Sequence, residues 1–328
     1  MANTMTTPAT AERQSSLARL GTALLKLPPS IFVIVCLVVV SLALVPVLTK
    51  LPFQMVILRQ AAPVGLVICA QLLVMRANSI DLSVGGVFIL MNYLVTSSVL
   101  HGLPDGLVLV LPVLVAMVIG AINGFFVAVL RSSSVVVTLA MGSVLMGFVL
   151  LLSSGRPPGS AGDFIKWLGV GKIGIVPIAA IIWLTATLAL EVYLRRSVYG
   201  RFVRVIGSNT NAAALSGIPV AKTLFTTHVL SAGFAGLGGV LLAGYIGMGS
   251  VKIGTDIVMT SIAGVILGGI TFGKGQKSII GAILAAYALA YVFNIMTALK
   301  FGEPAKLIVQ GMIIFAASVV ASVSNRKT

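Results

Sequence analysis

Residues able to do chemistry are few in this chain, and they are scattered through long apolar runs. Asp81 is the most informative of them. It lies in Ser-Ile-Asp-Leu-Ser-Val-Gly-Gly, residues 79–86, at the head of one such run. A carboxylate inside a bilayer costs about 2.5–3.5 kcal/mol on insertion scales, so it faces a cavity or a partner. Two readings follow. Asp81 can meet a passing polar solute, or Asp81 or Ser79 can cap the next helix by accepting from its free backbone N–H groups. The cap is preferred, and both hold together where a helix starts mid-membrane beside a pathway. Ser83, Asn92, Asn123, Thr138 and Asn294 are further polar side chains within apolar runs. Each can bond a hydroxylated solute or a neighbouring helix; for Asn123 and Thr138 the bond between helices is preferred.

Enzymatic chemistry finds no support. His101 and His228 stand isolated, without a carboxylate or cysteine at metal-ligand spacing. No serine occupies a G-x-S-x-G turn. Gly-Gly-Ile-Thr-Phe-Gly-Lys-Gly at 268–275 misses a P-loop by one residue, because Gly275 stands where Mg²⁺ needs Ser or Thr. An apolar run precedes it, not the strand of a soluble domain. The chain is expected to be no enzyme and to bind no metal or cofactor of its own.

The elements that must position these residues are set by composition. Of 328 residues, 58% are hydrophobic and 9% charged, which leaves too little polar surface for a soluble domain. The apolar runs are about 20 residues long and do not alternate, so the expectation is an all-α polytopic membrane protein rather than a β-barrel. Cys36 and Cys69 both sit in apolar runs, and no disulfide framework is indicated. The net charge of +15 is explained by lysines and arginines gathered in short loops, and nucleic acid is rejected as a partner.

Ten spans can be drawn, at 30–48, 55–75, 80–99, 107–130, 134–153, 173–194, 221–245, 256–272, 278–299 and 304–323. They make a membrane domain over 30–325, preceded by a polar tail over 1–29 rich in Ser, Thr and Ala. With the N-terminus inside, fourteen of the 22 lysines and arginines fall in cytoplasmic segments and eight outside. Both termini are therefore expected in the cytoplasm. Glycines cluster within spans, as Gly233, Gly236, Gly238 and Gly239 and again as Gly264, Gly268 and Gly269, which suits close helix packing. Gly120-Ala121-Ile122 is faintly echoed by Gly281-Ala282-Ile283, as paired halves of a transporter would be.

Residues 195–220 form the longest polar interruption. Arg195, Arg196, Arg201 and Arg204 open it. A compact helix signal follows: Ser208 or Asn209 as N-cap, Ala212 to Leu215 as helix formers, Gly217 at the C′ position and Pro219 as a stop. A capped helix between two spans reads as a docking knob, or as an ordinary basic loop. The order Gly200-Arg201, Ile206-Gly207, Asn209, Ala212-Ala213 and Leu215-Ser216-Gly217-Ile218 resembles the coupling loop of bacterial ABC importer permeases, most closely the ribose-type sugar permease family. Asn211 stands where that family carries an acidic residue, and Ala214 where it carries a basic one.

Three more segments carry the resemblance. Ile80-Asp81-Leu82-Ser83-Val84-Gly85 is similar to the family's I-D-L-S-V-G signature, although Arg76-Ala77-Asn78-Ser79 replaces its Thr-Gly-Gly-type turn. Asn123-Gly124, Val127-Ala128, Leu130-Arg131 and Thr138-Leu139-Ala140-Met141 form a second match, and the glycine-rich run from Ile262 to Gly275 a third. The resemblance implies a type II importer-like fold of about ten spans in the bacterial inner membrane. It implies a pathway for a monosaccharide or related small polar solute, formed with a second permease subunit. It further implies an ATPase subunit, holding ATP and Mg²⁺, that engages Gly207, Ser208, Asn209, Ala212, Ala213, Leu215, Ser216 and Gly217. A periplasmic or extracellular substrate-binding protein would dock outside, near Ile246 to Asp256. The alternative, a secondary transporter driven by an ion gradient, needs more intramembrane charge than Asp81 and Glu191 supply.

Overall fold

The computed structural model describes residues 29–250, 254–269 and 279–325. The tail before Pro29, the glycine-rich run from Ile270 with Lys274 and Lys277, and Arg326 and Lys327 lie outside the described residues, as do residues 251–253 of the expected outer docking segment. The chain runs α1 (Pro29–Leu44), a 3₁₀ turn (Pro46–Thr49), α2 (Leu51–Arg76), α3 (Val84–Thr96) and α4 (Asp105–Gly124), which continues as a π-turn (Phe125–Val129). Then come α5 (Ser134–Ser153), α6 (Asp163–Val170), a hairpin of β1 (Lys172–Ile173) and β2 (Val176–Pro177), and α7 (Ile178–Arg196). The remainder is α8 (Val198–Ser208), α9 (Thr210–Leu215), α10 (Val220–Ile246), α11 (Gly254–Leu267), α12 (Ile279–Ala298) and α13 (Glu303–Asn325).

The molecule is an all-α polytopic membrane protein. Each of the ten expected spans contains a helix, and among the described residues six are long and apolar enough to cross a bilayer: α2, α4 with its π-turn, α5, α7, α10 and α12. Two spans start later than the apolar pattern indicates. At 80–99 the helix begins only at Val84 and keeps 13 residues, about 20 Å, short of a hydrocarbon core of about 30 Å. At 173–194 the first residues form the hairpin, and Pro177 sets the start of α7.

Helix α10 is the central post. Along it small residues let neighbours approach to backbone contact. An ideal Cβ on Gly236 would lie 2.5 Å from the Ala116 Cβ of α4, and one on Gly239 would lie 2.3 Å from the Phe88 carbonyl of α3. On Gly238 it would lie 2.8 Å from the Pro63 carbonyl of α2. Gly120 and Gly281, the two echoed positions, are likewise crossing points, against the His228 and Gly268 carbonyls. By contrast α4 and α5 expose Leu114, Val118, Val136, Leu139 and Leu151, as helices facing lipid do.

The two ends of α10 differ. Near its start, the Tyr199 hydroxyl of α8 bonds the Thr227 hydroxyl at 2.8 Å. Near its finish, Gly169 of α6 meets the backbone of Gly244. The α8–α9 pair and the α6–hairpin unit therefore occupy opposite ends of the bundle.

Candidate functional site

Between α2 and α3 the backbone leaves helical geometry inside the bundle. Asn78, at a φ of 57°, ends α2: its N–H donates to the Met75 carbonyl at 3.2 Å, and the Ser79 N–H donates to the Val74 carbonyl at 3.0 Å. This paired closure normally places glycine at the left-handed residue, and asparagine tolerates the conformation better than other side chains do. The freed amides beyond Asn78 are met by α5. Ile80 N–H donates to Ser134 Oγ at 3.3 Å and Leu82 N–H to Thr138 Oγ1 at 2.9 Å, while the Thr138 hydroxyl donates to the Ser134 carbonyl at 2.7 Å. Non-helical backbone at membrane depth is tolerated because protein groups satisfy it.

Asp81 sits at the middle of this break, 0% exposed. Its Oδ1 accepts from the Ser83 N–H at 2.9 Å and from the Ser83 hydroxyl at 2.5 Å; Asn123 Nδ2 on α4 donates to the same Ser83 oxygen at 2.7 Å. The carboxylate therefore braces the residue before α3 instead of capping the first turn, and no side chain caps that turn. Ser79 does not cap it either. Its hydroxyl pairs with Nε2 of His228 at 3.2 Å, and Nδ1 of His228 lies 3.8 Å from Asp81 Oδ2. His228 is consequently not isolated. It is 0% exposed and faces the one carboxylate of the break. Sequence spacing hides this pair, because the two residues are brought together only by α10 crossing the break.

Four of the polar candidates, Asp81, Ser83, Asn123 and Thr138, are thus assembled into one buried cluster. The other two lie elsewhere, towards the α6 end. Asn92 Oδ1 accepts from the Ser250 N–H at 2.9 Å. Asn294 donates to Gln60 Oε1 at 2.6 Å and to the Ala290 carbonyl at 2.8 Å, and Gln60 donates to the Tyr245 hydroxyl at 2.8 Å. Arg59 lies within α2, inside the span drawn at 55–75.

The stretch 195–220 folds as two short helices. Ser197 caps α8, its Oγ accepting from the Gly200 N–H at 3.0 Å, and a Cβ at Gly200 would strike the Leu194 carbonyl. Of the two residues offered by sequence as cap for α9, Asn209 does it: Oδ1 accepts from the Ala212 N–H at 2.9 Å, while Ser208 ends α8. The far end closes with Gly217 at a φ of 76°, with the Gly217 and Ile218 N–H groups donating to the Ala214 and Ala213 carbonyls at 3.1 Å each. Gly207 and Ala213 are buried, and Ser208, Asn209, Ala212, Ser216 and Gly217 are exposed. Leu215 is 90% exposed at the tip. The positions of the two departures, Asn211 and Ala214, are exposed as well.

One tie holds this knob to the bundle, and a second braces the helix that leads into it. Glu191 of α7 pairs with Arg195 in the last turn of the same helix at 2.7 Å and with Arg76, the last residue of α2, at 3.6 Å. Tyr199 bonds Thr227, and burial pushes its phenol up to about 12, so the hydroxyl stays intact through the physiological range.

Residues 54–318 match the family described as branched-chain amino acid transport system / permease component. The chain belongs to this permease family. A probable ABC transporter permease of Sinorhizobium fredii is 31% identical over 240 residues, covering 73% of this chain and 72% of the relative. The ribose import permease of Escherichia coli K12 is 29% identical over 80% of this chain and 84% of its own length. The L-arabinose transport permease of the same organism is 28% identical over 78% of each. No solved structure matches the chain. The permease thus carries its break and its knob inside the region that matches the family.

Proposed function

We propose that this permease forms half of the membrane pathway of an ATP-driven importer for a monosaccharide or a related small polar solute. The knob carries the reading. A short helix capped at both ends, with a bare leucine at its tip and the preceding helix bonded to the bundle through Tyr199 and Thr227, is suited to be gripped and moved. A separate ATPase subunit, holding ATP and Mg²⁺, engages Gly207 to Gly217. A second permease subunit completes the pathway, and a substrate-binding protein delivers the solute at the α6 end. This orientation places the knob and both termini in the cytoplasm of a bacterial inner membrane, as the arginines at 195, 196, 201 and 204 favour. The solute class rests on the ribose and L-arabinose names of the relatives, and the family's amino-acid description makes a branched-chain amino acid the competing cargo.

The test is mild-detergent purification from the native membrane followed by mass spectrometry. Recovery of a P-loop ATPase is the expected result, and a homo-oligomer without one overturns it. Deleting residues 208–216 is expected to leave the chain inserted and to release the ATPase. The binding protein recovered alongside is then screened with pentoses, hexoses and branched-chain amino acids.

A further inference from the structure

The α6–hairpin unit carries an apolar edge that the bundle does not use. On α6, Ile165, Leu168 and Gly169 are buried, and Gly169 meets the backbone of Gly244 on α10. The opposite face turns Trp167 and Val170 outward, one helical turn apart. Trp167 is 53% exposed, and its ring stacks on that of Phe164 with centroids 6.1 Å apart. The hairpin continues the edge: Ile173 is 64% and Ile175 61% exposed, on either side of Gly174, whose φ of 62° makes the turn. Single apolar residues on a surface are ordinary, whereas a cluster of aromatic and branched side chains marks a contact face. We propose that this edge is an interfacial anchor, lying among phospholipid headgroups at the end of the bundle opposite the knob. Its assignment to the outer leaflet rests on the importer reading above; the anchoring itself does not.

Depth is the first argument. Helix α7 begins at Ile178, directly after β2, and runs 19 residues to Arg196. At 1.5 Å per residue it is about 28 Å long, the thickness of a hydrocarbon core and no more. Its last turn holds Arg195 and Arg196, which stay at one headgroup layer, so its first residue reaches the other. Any tilt of α7 draws the hairpin deeper instead of lifting it into water. Trp167, Ile173 and Ile175 therefore stand at the depth where tryptophan and branched side chains meet the boundary of headgroups and acyl chains. The unit is fixed there by α10: the Ala161 N–H donates to the Gly247 carbonyl at 3.0 Å, and the Gly249 N–H to the Gly159 carbonyl at 2.9 Å.

Charge is the second. Residues 154–177 carry Arg156, Lys166 and Lys172 against the single carboxylate of Asp163. Arg156 and Lys172 are exposed and Lys166 is half-buried. Among the described residues none of the three makes an ion pair. On the outer side such charges run against the positive-inside bias, and lipid phosphates are the counter-charge present at that depth. A soluble protein that docks and leaves would strand Ile173 and Ile175 in water between visits, whereas lipid covers them throughout.

The chain holds two tryptophans, and the other, Trp183, is 0% exposed, so tryptophan emission can read the anchor directly. The experiment reconstitutes the full chain in phosphatidylcholine vesicles whose acyl chains carry bromine either near the headgroup or near the chain ends. Shallow bromine is expected to quench wild-type emission roughly twofold and deep bromine less. Trp167→Phe is expected to lose most of the shallow quenching, and Ile173→Asn with Ile175→Asn to weaken it while the chain stays inserted. Equal quenching of wild type and Trp167→Phe overturns the proposal. Iodide in the water then identifies what Trp167 faces instead: quenching by iodide shows a face open to a binding protein, and shielding shows a second copy of the chain. A hairpin variant quenched as fully as wild type overturns the hairpin's share in the anchor. If wild type supplied with its partners shows no ATP-driven uptake, the importer reading falls, and the bromine series still decides the anchor.

Discussion

At Asn78 a single side chain decides where α2 ends. Its φ of 57° costs an ordinary residue about 1–2 kcal/mol and a glycine almost nothing. Asn78→Val is therefore expected to destabilise the solubilised chain by about that amount in thermal unfolding, and Asn78→Gly to leave it unchanged or slightly raise it. Glu191 offers a second contrast. Its partner Arg195 is 63% exposed along its side chain, so that pair is screened and worth at most about 1 kcal/mol. Its partner Arg76 is 8% exposed, and removing the carboxylate strips a buried guanidinium of its paired charge, a loss of about 3–5 kcal/mol. Glu191→Gln should lower the unfolding midpoint several times more than Arg195→Gln; equal effects would mean that water already screens Arg76.

The helix α9 is six residues long, far below the length at which a helix is stable in water. It persists because both ends are closed and Ala213 is buried. Losing the Asn209 cap costs about 1 kcal/mol, concentrated in this one element. Asn209→Ala should leave the global unfolding midpoint nearly unchanged while speeding proteolysis within 208–217. Leu215→Asp separates docking from folding. The side chain touches little of its own chain, so insertion and melting are expected to match wild type while ATPase recovery in pull-down falls. Unchanged recovery would place the grip elsewhere on the loop.

Across the molecule, stability is gathered along α10. Backbone-to-backbone approach at Gly239 leaves no space for a methyl group, whereas Gly147 on α5 has nothing within 4 Å. Gly239→Ala is expected to destabilise by about 1–3 kcal/mol and Gly147→Ala to be neutral or to stabilise by up to about 1 kcal/mol, read by unfolding in detergent. The contrast reflects architecture. Helix α10 is enclosed by α2, α3, α4 and α6, while α5 turns most of its surface outward. A change at the knob therefore enters the bundle through its best-packed member, at the end where the break between α2 and α3 lies against it.

Much of this was legible without coordinates. Apolar length alone marks out the ten helical segments, because a bilayer leaves the backbone no other way to satisfy its amides. The form of α9 was equally legible: capping is local chemistry, and Asn209, Gly217 and Pro219 act within a few residues of one another. The short α3 was hidden, since Ile80 and Leu82 extend the apolar run on its N-terminal side, while their amides are taken by Ser134 and Thr138 of a helix distant in sequence. His228 was hidden more completely. Its partner Asp81 lies on a distant part of the chain, and nothing local distinguishes it from a histidine that packs quietly in a core. The sequence by itself determined a polytopic membrane protein with a capped knob between two spans; the tertiary structure alone decided which polar groups meet, because only helix crossing brings Asp81, Asn123 and His228 to one place.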